Sequence, residues 1–324
     1  MKKAGKEFIL SIAGFIIAIL ANVFIPGGTK SEIYTISIFE LYSEDLYRVI
    51  LIAIIVGIVV SWINARKDKE KKKARKKKAL FQFVLGIAIA FWDFAGSKAD
   101  LLPQPFFPGP VRIAEAFLED SDYVLQNTLY SFRLFAIGFI LGVVFGIITG
   151  IIIGCFKKIG YWIEPILNIC GVIPPVAWMP FALIIFPTSF GAAVFLLVIC
   201  VWFPVASMTA LGIITTPKVQ FEAADILGAS KLYRIRTVAL PHAMPQIFTG
   251  ITTAEAFAFT NLVMAEMMGQ PGGLGYYINA SKVWSAYYKV FAAIIVMAVL
   301  FSLIKYGIDR ISTYVLRWQK GVVK

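Results

Sequence analysis

Charged residues are scarce in this sequence of 324 residues. Only 15% of the residues are Asp, Glu, Lys or Arg, where a soluble domain carries about 25%. The mean hydropathy is +0.79. This balance excludes an ordinary soluble domain, a disordered chain and a secreted disulfide scaffold. A chain this apolar requires lipid as its solvent.

Residues that build common catalytic, metal and nucleotide sites are nearly missing. There is one histidine, His242, and the three cysteines (Cys155, Cys170 and Cys200) lie in apolar runs without C-x-x-C spacing. We therefore predict no disulfide framework, no metal site and no Cys–His nucleophile pair. The nearest phosphate-loop lookalike, residues 27–30, has the wrong spacing. The chain is predicted to have no catalytic residue and no cofactor of its own.

Long apolar runs are the main feature of the sequence. A helix needs roughly 20 residues to cross about 30 Å of hydrocarbon, and helices pair every backbone group internally. Continuous runs without alternation argue against a barrel. We predict an all-α, polytopic membrane protein with about eight transmembrane helices. The candidate spans are 8–25, 46–63, 79–95, 128–156, 161–186, 190–215, 243–268 and 290–308.

Basic residues are distributed unevenly between the loops. Segment 66–78 holds ten of them, and 24 of the 31 fall on one side if that segment is cytoplasmic. The opposite loops are acidic, so the positive-inside rule predicts that both termini are cytoplasmic. The run could also bind anionic membrane lipid or a partner. It lacks interleaved aromatic residues, so we predict no nucleic-acid binding.

The first apolar run resembles a secretory signal, but its 18 residues exceed the usual signal core. An uncleaved anchor is therefore the preferred interpretation, and the cleaved alternative stays open.

Glycine recurs every fourth residue in the fourth predicted span, and such a stripe lets helix backbones approach closely. Packing within the subunit and a contact between subunits are both consistent with it. The stripe consists of Gly138, Gly142, Gly146, Gly150 and Gly154.

Prolines interrupt the fifth predicted span. Pro174, Pro175 and Pro180 delete backbone donors around Trp178 and must break the helix. Broken backbone at membrane depth is tolerated where it is buried in protein or lines a cavity. These four residues are therefore candidates for a translocation path, with a structural kink as the alternative.

Loop 216–242 is predicted to form two short helices. Pro217 favours a helix start, Gly228 ends the first helix, and Ser230 caps the second. Pro241 is expected to stop the second helix before the next span. The result is a rigid knob that a soluble partner could grip.

At this loop the sequence resembles the EAA loop of bacterial ABC importer permeases. The matching residues are Glu222, Ala223, Ala224, Gly228 and the pair Leu240–Pro241, with no gap in the spacing. Val238 stands where isoleucine is usual.

Further segments resemble the nitrate/sulfonate/bicarbonate (taurine-like) permeases in particular. They are 101–105 (LLPQP), 173–180 (IPPVAWMP), 265–267 (AEM) and 272–276 (GGLGY). Segment 186–190 departs from the glycine-rich turn usual there.

The resemblance implies a six-helix type I importer core over residues 79–320, with the coupling loop at 216–242. Residues 1–64 would be two extra transmembrane helices and residues 65–78 a basic cytoplasmic linker. It implies a homodimer, or alternatively a pseudo-dimer, in the bacterial plasma membrane. It also implies partner ATPase subunits that bind ATP and Mg, and an extracellular solute-binding protein. The solute would be a small anion or organic compound.

Two acids lie in or near the seventh predicted span, where charge is costly. Glu266 is expected near the outer end. The deeper Glu255 either lines the path or makes a structural contact, for which Arg133 and Lys289 are candidates. A stand-alone secondary transporter or channel is the alternative function, and a membrane-embedded enzyme is a weaker one because no convergent polar site is visible.

Overall fold

A computed structural model describes residues 2–25, 33–36, 39–65, 68–99 and 101–318. The predictions that touch residues 27–30, Glu32, Arg66, Lys67, Asp100, Lys320 and Lys324 lie outside this range. Helices dominate, which confirms the predicted fold class, and one antiparallel hairpin pairs Ile33–Ile36 with Phe39–Tyr42. The helices are α1 (Lys2–Phe24), α2 (Ser43–Asn64), α3 (Lys69–Asp93), α4 (Pro110–Glu119), α5 (Ser121–Cys155), α6 (Lys157–Val172), α7 (Met179–Ile185), α8 (Ser189–Ile214), α9 (Lys218–Ile226), α10 (Lys231–Arg234), α11 (Leu240–Met267), α12 (Leu274–Val283) and α13 (Tyr287–Val315).

Seven described helices are long and apolar enough to span a membrane, and the bent pair Lys157–Val172 and Pro175–Ile185 brings the number to eight. This agrees with the eight predicted spans. The amphipathic α4 and the short α12 were not foreseen, because neither carries a long apolar run. By contacts the chain forms two units, Met1–Val124 with Ala280–Ile294, and Leu125–Asn279 with Ile295–Lys324.

The described part of the basic segment is helical from Lys69, where α3 begins and continues into the third span. Lys, Arg, Glu and Ala are strong helix formers. Asp68 caps the helix by accepting from the backbone N–H groups of Glu70 and Lys71, at 3.0 and 3.3 Å. These bonds to the ionised carboxylate hold the pKa of Asp68 below its ordinary value.

In the first unit, α1 and α3 run parallel in close contact. A Cβ built on Gly86 would lie 2.8 Å from the Cα of Gly14, so only two glycines permit this crossing. Glu7 pairs with Lys76 at 3.0 Å near one end of the pair. Asn22 donates to Asp93 at 3.0 Å near the other end. The N-terminal helix is thus an integral part of its unit.

In the second unit, α5 and α8 run parallel along the glycine stripe. A Cβ built on each glycine would lie 2.5–2.7 Å from the Cβ of one α8 residue, which is closer than real side chains approach. The stripe therefore packs within the chain, which is the first of the two predicted alternatives. The facing residues are Leu197, Val201, Val205, Thr209 and Ile213. Behind them α8 packs on α11 around Ala254, Ala258 and Leu262 in the unit's buried core.

Candidate functional site

The loop after α8 folds into the two predicted helices, α9 and α10. Pro217 occupies the N-cap position of α9, where its missing N–H costs nothing. Ser230 caps α10 by accepting from the backbone N–H of Tyr233 at 3.3 Å. Arg234 of α10 forms an ion pair and hydrogen bond with Asp225 of α9. This side-chain clamp fixes the angle between the two helices.

Gly228 forms the turn between the helices in a left-handed conformation with φ +74°. Its N–H donates to the carbonyl of Asp225, and the N–H of Ala229 donates to the carbonyl of Ala224, both at 3.0 Å. This pair of bonds is a Schellman motif, which satisfies the last carbonyls of α9. No described atom lies within 4 Å of a Cβ built on Gly228, so the conformation alone requires glycine.

The prediction that Pro241 stops the second helix is wrong. α10 continues through a π-helical turn, Ile235–Ala239, directly into α11. Pro241 lies in the first turn of α11, just after the five-residue π turn. In a π turn each N–H bonds to the carbonyl five residues earlier instead of four. The helix can therefore continue past a proline, which has no N–H to donate. The second half of loop 216–242 is therefore continuous with the seventh span over Lys231–Met267.

The motif residues lie at different depths around two open cavities. Glu222, Ala223, Gly228 and Pro241 are exposed, Leu240 is half-buried, and Ala224 is buried. Ala223, Ala224 and Gly228 line a cavity of about 660 Å³ between the short helices. Ala223 also joins Pro241 and His242 around a neighbouring cavity of about 440 Å³. Glu222 lines neither.

Large apolar side chains on this knob are exposed. Ile226 and Leu227 are 87% and 86% exposed, and further large exposed side chains are Val219, Leu232 and Tyr233. Contiguous exposed apolar surface with a polar rim is typical of a protein interaction site. The knob thus has the rigidity and the surface that a soluble partner requires.

The prolines break the fifth span as predicted. α6 ends at Val172, a 3₁₀ turn covers Pro175–Trp178, and the following segment is bent by 103° relative to α6. Pro174 and Pro180 are exposed, whereas Pro175 and Trp178 are half-buried. Met179 is buried in the core of the second unit, which anchors the bend.

Glu255 is 1% exposed on α11, and its Oε1 atom has no hydrogen-bond partner among the described residues. Neither predicted partner pairs with it. Lys289 forms ion pairs with Glu119 and Asp120, both at 2.8 Å. Arg133 instead lies over the ring of Phe190, with its Cζ 5.2 Å from the centroid.

The charged groups that act electrostatically on Glu255 are Lys305 and Asp309 of α13. These two form an i,i+4 ion pair with each other at 3.7 Å. Glu255 is therefore enclosed by protein in this conformation, and its role in a path stays a prediction.

Glu266 has a structural role that the sequence did not reveal. It is 1% exposed at the end of α11, and its Oε2 accepts from the backbone N–H of Gly275 at 2.8 Å. A carboxylate at the N-terminus of a helix, here α12, is electrostatically favourable. Glu266 thus fastens the start of α12 to the end of α11.

Polar residues on α5 hold the same turn. Asn127 accepts from the N–H of Gly273 at 2.9 Å, and Ser131 accepts from the N–H of Leu274 at 2.8 Å. Gly273 has φ +109°, and a Cβ there would lie 2.5 Å from Oε1 of Glu266. The AEM and GGLGY segments therefore lie on the two sides of one buried turn, which these hydrogen bonds hold together. The polar Asn127 and Ser131 at the start of an apolar run are the signal that could have located it.

Comparison with known proteins agrees with this architecture. Residues 142–319 match the profile of the family described as binding-protein-dependent transport system inner membrane component. The putative aliphatic sulfonates transport permease protein SsuC of Bacillus subtilis (strain 168) is 30% identical over 258 residues, covering 78% of this chain and 92% of that protein.

Two more relatives share this pattern. The nitrate import permease protein NrtB of Synechococcus elongatus is 29% identical, covering 63% of this chain and 74% of that protein. The taurine transport system permease protein TauC of Escherichia coli (strain K12) is 25% identical, covering 80% and 97%.

Among solved structures, the inward-facing MetNI methionine ABC transporter superposes with a TM-score of 0.52. It is 23% identical and covers 60% of this chain and 96% of its own, a likeness that shows the fold.

The fold and the loop therefore define a multi-pass transport subunit of the inner membrane. The chain belongs to the binding-protein-dependent transport system inner membrane component family, as an ABC importer permease of the nitrate/sulfonate/bicarbonate/taurine type. This confirms the resemblance found in the sequence.

Proposed function

We propose that this chain is the permease of an ATP-driven importer whose partner ATPases grip the knob formed by α9 and α10. The observation that best supports this proposal is the structure of the knob, because the Schellman turn at Gly228 and the Arg234–Asp225 ion pair make it rigid. Its helical continuity with α11 provides a stiff connection from the knob into the membrane. ATP-driven closure of the ATPases would push α11 and switch the path between outward and inward access.

The broken span next to α8 is the proposed wall of that path. Its exposed prolines and apolar side chains need a covering in lipid or protein, and a second copy of this chain would supply one. The solute is proposed to be a small anion, since relatives are named for nitrate, sulfonates and bicarbonate. An external solute-binding protein would deliver it.

The proposed orientation places both termini and the knob on the cytoplasmic side of the bacterial plasma membrane. The excess of Lys and Arg in the loops of that side supports it. Reporter fusions to the C-terminus, one active only in the cytoplasm and one only outside, test this directly.

The deciding experiment is uptake in cells that express Gly228→Asp. We expect solute uptake to be lost while the protein remains in the membrane at its normal level. The wild-type chain should copurify with an ATPase subunit. Normal uptake by the variant would contradict the coupling role, and uptake without ATP or partner chains would favour a secondary transporter or channel.

A further inference from the structure

A small cavity lies between the end of α2 and the start of α3, in the first unit. Its volume is about 270 Å³, and its lining is formed by Ser61, Asn64, Ala65, Lys71, Ala74, Arg75 and Lys78. Three of these side chains are cationic and two are neutral hydrogen-bonding groups, with no acid among them. The cavity therefore has the chemistry of an anion site, and the proposed transport function assigns it no task.

The three cations occupy one stripe of α3. Residues spaced i, i+4 and i+7 share a helix face, which is the spacing of Lys71, Arg75 and Lys78. Lys76, on another face, pairs with Glu7 of α1 at 3.0 Å. Lys71 contacts Asp68 at 3.5 Å, while Arg75 and Lys78 form no ion pair within the described residues. Two of the three cations that line the cavity are thus uncompensated within the described residues.

A neutral donor is also available. The hydroxyl oxygen of Ser61 is buried and has no hydrogen-bond partner among the described residues. An unmade hydrogen bond of a buried polar group costs about 1–3 kcal/mol. An acceptor-rich ligand in the cavity would remove that cost and meet the guanidinium of Arg75, which is suited to phosphate oxygens.

The position of the cavity indicates the ligand. α2 is apolar up to Asn64, and α3 becomes apolar from Ala79 onward, so the cavity lies where the hydrocarbon region of these spans ends. Phospholipid phosphates lie at this level, and basic pockets between transmembrane helices suit anionic headgroups. The volume is below the 300–1,000 Å³ typical of pockets that enclose whole small molecules. It suits a phosphate at the end of a larger molecule.

We propose that this cavity binds the phosphate of an anionic phospholipid, with Lys71, Arg75 and Lys78 as the charged partners and Ser61 as a donor. The bound lipid would fasten the end of α2 to the start of α3 at the membrane surface. The basic segment would then have a specific ligand in addition to its effect on topology.

Native mass spectrometry of the purified full chain, titrated with phosphatidylglycerol or phosphatidylcholine, tests the proposal. The test variant combines Lys71→Gln, Arg75→Gln and Lys78→Gln. The matched control combines Lys72→Gln, Lys73→Gln and Lys77→Gln, which removes the same charge from the same helix outside the cavity. We expect the test variant to lose about 10-fold in phosphatidylglycerol affinity, the loss expected when charge-assisted hydrogen bonds are removed. The control should change by less than about threefold.

Ser61→Ala is the second variant, and it is expected to weaken phosphatidylglycerol binding several-fold without altering the charge. Equal losses in the test and control triple variants would overturn the proposal, because they would indicate diffuse attraction. Equal affinity of the wild type for the two lipids would also overturn it. Displacement of the lipid by millimolar inorganic phosphate would identify a soluble ligand and would overturn the lipid assignment.

Discussion

The carboxylate of Glu266, at the end of α11, accepts a hydrogen bond from the backbone N–H of Gly275 at the start of α12. The distance between the Gly275 nitrogen and Oε2 of Glu266 is 2.8 Å, and Glu266 is almost completely buried. Nine residues separate the two groups in the chain, and the turn between them is held by Asn127 and Ser131 of α5. This joint ties three helices of the second unit together. The hydrogen bonds of this turn are therefore a clear target for mutation.

Glu266→Leu is expected to lower the midpoint of thermal unfolding in detergent by about 5 °C. It removes a hydrogen bond to a charged group, worth about 1.5–3 kcal/mol, and leaves the N–H of Gly275 unpaired. Glu266→Gln is the control, because its amide oxygen still accepts that N–H. Fluorescence-detected size-exclusion chromatography after heating measures both. Equal midpoints for the two variants would show that the carboxylate position does not stabilise the turn.

Gly228→Val and Gly228→Asn separate backbone conformation from side-chain size in the knob. A β-branched residue in the left-handed region costs about 1–2 kcal/mol, whereas asparagine tolerates it. We expect Gly228→Val to reduce solute uptake roughly 10-fold and Gly228→Asn to keep at least about half of it. Uptake is measured at matched membrane levels of protein. If asparagine were as damaging as valine, the turn geometry would not be what the partner requires.

Gly146→Ala is expected to destabilise the second unit by about 2 kcal/mol, because its Cβ would lie 2.7 Å from the Cβ of Val205 on α8. Gly307→Ala on α13 is the control, since no described atom lies within 4 Å of a Cβ built there. The measurement is the thermal midpoint of each variant. A stable Gly146→Ala protein would mean that α5 and α8 separate more easily than their contact suggests.

Gly86→Ala tests the crossing of α1 and α3 in the first unit. The added Cβ would meet the backbone of Gly14, which cannot move aside as a side chain can. We expect a loss of about 2 kcal/mol and reduced yield in the membrane. Gly57→Ala on α2, where a Cβ meets no described atom within 4 Å, should be neutral or slightly stabilising. Identical behaviour of the two variants would refute the close crossing.

The sequence predicted those parts of the fold that depend on local pattern. Apolar run length located the spans, clustered prolines located the break at Pro174, and Ser230 and Gly228 marked the helix ends of the knob. Each of these signals acts through the backbone of neighbouring residues, so a single sequence is enough to read it.

Contacts between residues that are distant in the chain could not be predicted from local sequence patterns. Asn127 and Ser131 on α5, which hold the turn at Gly273 and Leu274, lie more than a hundred positions away from it. Lys289 lies similarly far along the chain from its acidic partners Glu119 and Asp120. The π turn before Pro241 was missed for another reason, because proline ends most helices and a shifted hydrogen-bond pattern leaves no mark in the sequence. The start of α3 at Lys69 was not predicted, because the apolar run that marks the third span begins only at Ala79, although lysine and arginine favour helix.

The parallel contact of α1 with α3 has a consequence for biosynthesis. The ribosome delivers α1 first, yet its partner surface around Gly86 emerges only after the antiparallel α2 has been made. The face of α1 that packs on α2, for example where Arg48 donates to Asn22, can therefore be covered before the face that meets α3. A peptidase that removed α1 during this interval would leave Asp93 without the amide that bonds to it. The last contacts of the first unit thus depend on α1, the first segment to be synthesised.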